Sequence, residues 1–216
     1  QLVRARVAAV RKSLAEAALV EVLERSPDEQ EPPCPHAGRC GGCSWQSLAY
    51  GRQLAWKERI VHDALERVGK VACPPILPIL PSPSEWGYRN KMEFAFGVSG
   101  DGGKALGLRE RGSRNIVEVT GCLLQTPLTM RVLEAVRMLS NGAFHDLDGR
   151  FLVVREPNAG GCFVELIVGA GGSLEAGERF AEALRAETPE VTGFALSERL
   201  APSDVAYGER ALYADG

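Results

Sequence analysis

The sequence predicts an α+β fold built on antiparallel strands, and three observations carry that expectation. Short apolar runs with strand-like alternation outnumber helical patterns, and they follow one another without the strict β-α-β rhythm of a parallel sheet. A proline-dense stretch at residues 74–83, with Pro74, Pro75, Pro78, Pro81 and Pro83, forbids regular structure and divides the chain. Ahead of that break, Cys34, Cys40 and Cys43 crowd onto one short loop around the pair Gly41-Gly42.

At 216 residues the chain suffices for one large domain or two small ones. With 25 Lys+Arg against 28 Asp+Glu, no global positive field announces a nucleic-acid partner, so any basic surface must be local. No apolar stretch approaches the ~18 residues of a membrane span, and the start lacks the apolar segment of a secretory signal. The expectation is a cytoplasmic monomer with no membrane partner. In that compartment six cysteines favour metal ligation over three disulfides. Gln1 lies in mid-strand pattern and Asp215-Gly216 follows a turn-like phrase, so both ends read as cut.

Taken in order, residues 2–25 alternate apolar and polar side chains at both ends and predict a β-hairpin; a single alanine-rich amphipathic helix is the competing reading. A polar, proline-bearing linker over 26–35 enters the cysteine loop. Residues 47–68 predict a helix with Leu54, Val61, Leu65 and Val68 on one stripe and Gly69 to stop it, bracing the loop. Beyond the proline break, strands are expected at 91–98, 105–110 and 116–119, followed by a helix over 127–140 that Pro127 begins. Strands at 151–155 and 162–168, a helix over 174–186, and closing strands at 193–198 and 205–213 complete the pattern. This gives four parts: 1–27 a β segment, 28–73 the cysteine loop and helix, 74–204 a central α+β domain, and 205–216 the start of a linker.

The spacing C-x5-C-x2-C puts three sulfurs on one turn and leaves a tetrahedral ion or a cubane cluster one ligand short. Gly41 and Gly42 can turn main-chain N–H groups toward bridging sulfides, which favours an iron-sulfur cluster. Of the remaining cysteines, Cys162 lies in an apolar run and reads as a buried structural thiol. Cys73 precedes Pro74 at the linker. Cys122, between a strand and a proline-started helix, is best placed to present a sulfur as the fourth ligand. His36 reads as a loop or surface residue rather than a ligand, and neither His62 nor His145 has a partner that suggests chemistry.

The phrase Cys34-Pro35-His36-Ala37-Gly38-Arg39-Cys40-Gly41-Gly42-Cys43-Ser44-Trp45-Gln46, then Tyr88-Arg89-Asn90-Lys91-Met92-Glu93-Phe94, then Gly121-Cys122, resembles the bacterial iron-sulfur RNA uracil-5-methyltransferases. Their best-known members act on 23S ribosomal RNA. The resemblance implies three parts. An N-terminal TRAM domain of OB-like β-barrel character would be present here only in its later strands. A central domain would carry a 4Fe-4S cluster on Cys34, Cys40, Cys43 and Cys122. A Rossmann-like domain binding S-adenosylmethionine would follow, and residues 205–209 are similar to the segment that leads into it.

In such enzymes a cysteine thiolate adds to C6 of a flipped-out uridine, C5 then accepts the methyl group, and a glutamate removes the C5 proton. Those residues belong to the C-terminal domain, and Gly169-Ala170-Gly171-Gly172 reads as a turn rather than a cofactor loop. The expectation is therefore a fragment with no catalytic or S-adenosylmethionine-binding residue of its own, inactive alone. Its partner would be RNA, ribosomal before transfer RNA. Between Tyr88 and Arg114 six basic residues stand against three acidic ones, and Arg89, Asn90, Lys91, Arg109 and Arg111 are the candidate phosphate contacts. Tyr88 could stack on a base, while Phe94 and Phe96 read as core. A structural zinc in a non-catalytic RNA-binding module and an electron-transfer protein are the competing classes.

Overall fold

In the computed structural model every residue is described except Ser13, Cys73 and Pro74. The expectation placed on Cys73 thus lies outside the described residues. The chain forms two units: one holds residues 1–35 and 44–81, the other residues 36–43 and 82–216.

In the first unit, β1 (Leu2–Arg11) pairs antiparallel with β2 (Leu14–Glu24), as the alternation predicts, and among the described residues the pair closes no barrel. Cross-strand ion pairs Arg4–Glu21 and Arg11–Glu16 use the polar half of the alternation. The helix expected at 47–68 is α1 (Tyr50–Asp63), which widens into a π-helical turn over Ala64–Val68; the Gly69 N–H bonds the Ala64 carbonyl at 2.9 Å to end it. Its apolar stripe is a correction. Val61, Leu65 and Val68 are exposed and Leu54 is half-buried, because within this unit nothing covers the stripe: no described residue of the unit is buried.

The second unit is a seven-stranded sheet with two helices. Its strands are β3 (Lys91–Val98), β4 (Lys104–Arg109), β5 (Ile116–Val117), β6 (Gly149–Arg155), β7 (Cys162–Val168), β8 (Val191–Glu198) and β9 (Arg210–Asp215), in the order β5-β4-β3-β6-β7-β8-β9. All neighbours are antiparallel except β7 and β8, a correction to the wholly antiparallel expectation. The cause is α3 (Leu174–Glu187), which leaves the end of β7 and carries the chain back so that β8 starts beside the start of β7. The last strand begins later than residue 205 because the segment before it is held otherwise: the Arg199 guanidinium donates to the Tyr207 carbonyl and the Glu209 N–H to the Glu198 carbonyl, each at 2.8 Å.

Helix α2 (Pro127–Asn141) starts where Pro127 predicts, with the Thr126 hydroxyl accepting from the Thr129 N–H; Ser173 caps α3 by accepting from the Ala176 N–H. Strand alternation sends Met92, Phe94, Leu152, Val154, Val164 and Leu166 to one sheet face, against Val132, Leu133 and Val136 of α2 and Phe180, Ala181 and Leu184 of α3. Phe180 stacks on Phe194 and meets Phe144 edge-on, with centroids 5.5 and 4.8 Å apart. The opposite face carries a smaller cluster of Ala95, Ala105, Ile116, Phe151, Val153 and Ile167.

Arg185 of α3 binds both carboxylate oxygens of Asp215 in β9, which also accepts from the Tyr213 hydroxyl and the Phe194 N–H. The Arg185 guanidinium, ahead of the other contacts, holds the Asp215 carboxyl well below the usual carboxylate range. A depressed folded-state pKa gives stability that is complete above the unfolded value of ~3.9 and is lost as pH falls toward the folded one. Asp215→Asn should lower the urea midpoint at pH 7 and flatten its decline between about pH 5 and pH 2. Parallel declines in both proteins would remove this pair from the acid sensitivity.

Candidate metal centre

Part of the cysteine loop, residues 36–43, folds with the sheet unit although the proline break separates them in sequence. It is held by main-chain pairing beyond the end of β4. The Gly41 N–H donates to the Arg109 carbonyl at 2.9 Å, the Arg111 N–H to the Arg39 carbonyl at 2.8 Å, and Cys40 faces Glu110 as an antiparallel bridge. A Cβ on Gly41 would stand 3.0 Å from the Arg109 oxygen, so this approach favours glycine. Inside the loop the Cys40 N–H returns to the His36 carbonyl at 2.8 Å, and the Gly42 N–H points at Cys40 Sγ, 3.4 Å away.

Charged side chains fasten the same dock. Arg111 donates to the Cys43 carbonyl at 2.7 Å, and Arg39 pairs with Glu110 at 3.2 Å. Glu110 also accepts from Ser113 and Asn115; these hydrogen bonds, Ser113 first, hold its carboxyl below the ordinary range. On the other flank, Thr120 donates its N–H to His36 Nε2 at 3.1 Å. Cys34, Cys40, Cys43 and Cys122 are half-buried thiols, and both Cys40 and Cys122 pack against the main core. Among the described residues no three His, Cys, Asp or Glu side chains converge as a single-ion site.

Cys162, at the start of β7, is fully buried in that core, as its apolar run predicts. Burial pushes its thiol up to about 11, with Glu156 and Glu190 adding to the shift.

The candidate phosphate contacts are distributed differently from a simple basic stripe. Arg89 is half-buried beside Met92 and bonds the Leu124 carbonyl through its main chain; the Asn90 carbonyl accepts from the Glu156 N–H. Lys91 pairs with Glu93 on the same strand face. Arg109 donates to the Arg114 carbonyl and pairs with Asp204, while Arg111 is committed to the cysteine loop. Phe94 is core as expected; Phe96 is half-buried against the same cluster; Tyr88 is exposed. His36 and Thr120 are what the sequence reading overlooks. Their signal is positional, since each lies two residues from a candidate ligand, Cys34 and Cys122.

No family model matches the chain. It is similar to proteins each named as an uncharacterized RNA methyltransferase. One from Nitratidesulfovibrio vulgaris is 46% identical over the whole chain and 48% of its own length. One from Nostoc sp. is 30% identical over 92% of the chain and 45% of its own length, and one from Caldanaerobacter subterraneus is 49% identical over 52% of the chain and 25% of its own. These relatives support an RNA methyltransferase family. The chain spans about half the length of the curated relatives it matches along its full extent.

At neutral pH a thiol pushed to about 11 is almost wholly protonated, and Cys162 is also out of reach of solvent. Iodoacetamide footprinting of the native, metal-free chain should modify Cys43 and Cys34 while leaving Cys162 intact until urea is added. Equal labelling of Cys162 and Cys43 in the native state would show that the β7 end opens.

Proposed function

We propose that this chain is the cluster-bearing, RNA-gripping part of an S-adenosylmethionine-dependent RNA (uracil-5-)-methyltransferase that forms 5-methyluridine, with ribosomal RNA as substrate. The observation that carries the proposal is the conjunction of whole-chain similarity to named RNA methyltransferases with a C-x5-C-x2-C motif whose residues 36–43 dock on β4, and with Gly121-Cys122 following β5 in the same unit. S-adenosylmethionine supplies the methyl group, and we assign its binding and the uridine chemistry to the part of such an enzyme that this chain does not match. The hairpin β1–β2 is the TRAM-like portion, and the sheet unit is the central domain.

The metal group proposed is one 4Fe-4S cluster on Cys34, Cys40, Cys43 and Cys122. The donor set fits it: four soft thiols, half-buried, two of them against apolar core, with the Gly42 N–H directed at Cys40 Sγ. A cubane is wider than a single ion and takes its thiolates further apart than a tetrahedral zinc does. The chain's own residues supply a fixed loop, apolar shielding and N–H donation to sulfur. Anaerobically purified chain should be brown, with broad absorption near ~400 nm from thiolate-to-iron charge transfer. Cys122→Ser should lose iron and Cys162→Ser should retain it. Colourless protein holding one zinc would overturn the cluster, and iron loss from both variants would overturn the choice of Cys122.

RNA is gripped, in this proposal, by the stretch that includes Arg89, Asn90, Lys91, Arg109 and Arg111. Lys91 and Arg109 form ion pairs with the exposed carboxylates of Glu93 and Asp204, and such surface pairs are worth little, so phosphates can compete for these cations. Reversal of Arg89 and Lys91 to Glu should weaken RNA binding and flatten its log-log salt dependence by about 0.7 per lost phosphate contact. Unchanged affinity and slope in a folded, iron-replete double variant would move the RNA contact elsewhere.

A further inference from the structure

The Thr120 main-chain N–H points at His36 Nε2 from 3.1 Å, and the Thr120 hydroxyl oxygen lies 3.2 Å from the same nitrogen. A ring nitrogen that receives an N–H is an acceptor, so this contact leaves the ring proton to Nδ1. The two residues are 84 positions apart in sequence. Each nevertheless lies two residues from a cysteine of the proposed ligand set, His36 after Cys34 and Thr120 before Cys122.

A bland role for the contact would be to satisfy a buried donor. Thr120 is exposed, however, and β5 ends at Val117, so water would serve its N–H equally well. What the contact achieves is placement. The main-chain and ion-pair contacts of the loop with Arg109, Glu110 and Arg111 run to residues upstream of the turn that carries Cys122. The histidine contact reaches that turn.

We infer that His36 is a positioning residue for the metal centre: its ring ties the turn bearing Cys122 to the loop bearing Cys40 and Cys43. The inference rests on the four-cysteine reading proposed above. His36 is not a ligand in this arrangement, because Nε2 is engaged by the Thr120 N–H. Holding the distant thiolate in register before metal arrives lowers the ordering cost of closing the site, and groups that orient ligands in this way typically change metal retention by one to two orders of magnitude.

The test compares the full chain with His36→Ala and His36→Gln, whose Oε1 can accept at a similar reach. Two readouts are taken: exchange of the Thr120 amide in metal-free protein, and the rate at which a chelator bleaches the reconstituted cluster. Expected for His36→Ala is Thr120 exchange about fivefold faster or more, the scale of one lost hydrogen bond, and bleaching about tenfold faster. His36→Gln should bring both back to within about twofold of the parent, which general loosening of the fold would not do. Unchanged Thr120 exchange in His36→Ala would remove the contact, and faster exchange with unchanged bleaching would remove its role at the metal. A parent chain that takes up no iron would overturn the four-cysteine reading and this role with it, while the amide readout would still report whether the clasp exists.

Discussion

The arrangement depends on a short piece of main-chain pairing, in which residues 39–41 lie along the continuation of β4 through Gly41, Arg39 and the Cys40–Glu110 bridge. Each such hydrogen bond contributes only about 1 kcal/mol. Its importance is geometric, because it attaches a segment from before the proline break to the end of the sheet formed by β4 and β5. There β4 is also gripped by β5, and a Cβ on Gly107 would fall 2.2 Å from the Val117 oxygen. Gly41 on the loop and Gly107 on β4 thus permit two close approaches, to the Arg109 and Val117 carbonyls. A larger residue at either would push away the loop or the strand that leads to Cys122.

The arginines around that edge reconcile two demands. Arg39 lies on the cysteine loop and Arg111 just beyond β4, with their guanidinium groups engaged by Glu110 and the Cys43 carbonyl. Those bonds tie both cations to the docked loop. Arg109, one residue upstream of the bridge, is turned instead to Arg114 and Asp204. Local positive charge in an acidic chain therefore has a structural use as well as any use toward phosphate, and the two need not be served by the same side chains.

The sheet unit was largely legible because its signals are local. Alternation defined β3 and β7 to the residue, and Pro127 announced the start of α2. The parallel β7–β8 pair was not legible, since pairing direction depends on where α3 returns the chain. The stripe on α1 was misread because apolar spacing reports what a helix offers and not what covers it. At the candidate site the thiols stood out by spacing, whereas His36 and Thr120 did not: a histidine becomes informative only once the residue facing it across 84 positions is known.

The docking of residues 36–43 against strands that follow the proline break bears on how the protein is made. The cysteine loop is synthesised first, and the partner of His36 emerges 84 residues later. At about 5–20 residues per second that interval is on the order of ten seconds. Throughout it the leading thiols have neither their strand nor Thr120, and they stand open to oxidants and to adventitious metals. Ribosomal pace therefore sets how long the cysteine segment waits for the strand it pairs with, a dependence set by the order of the sequence rather than by the stability of the finished fold.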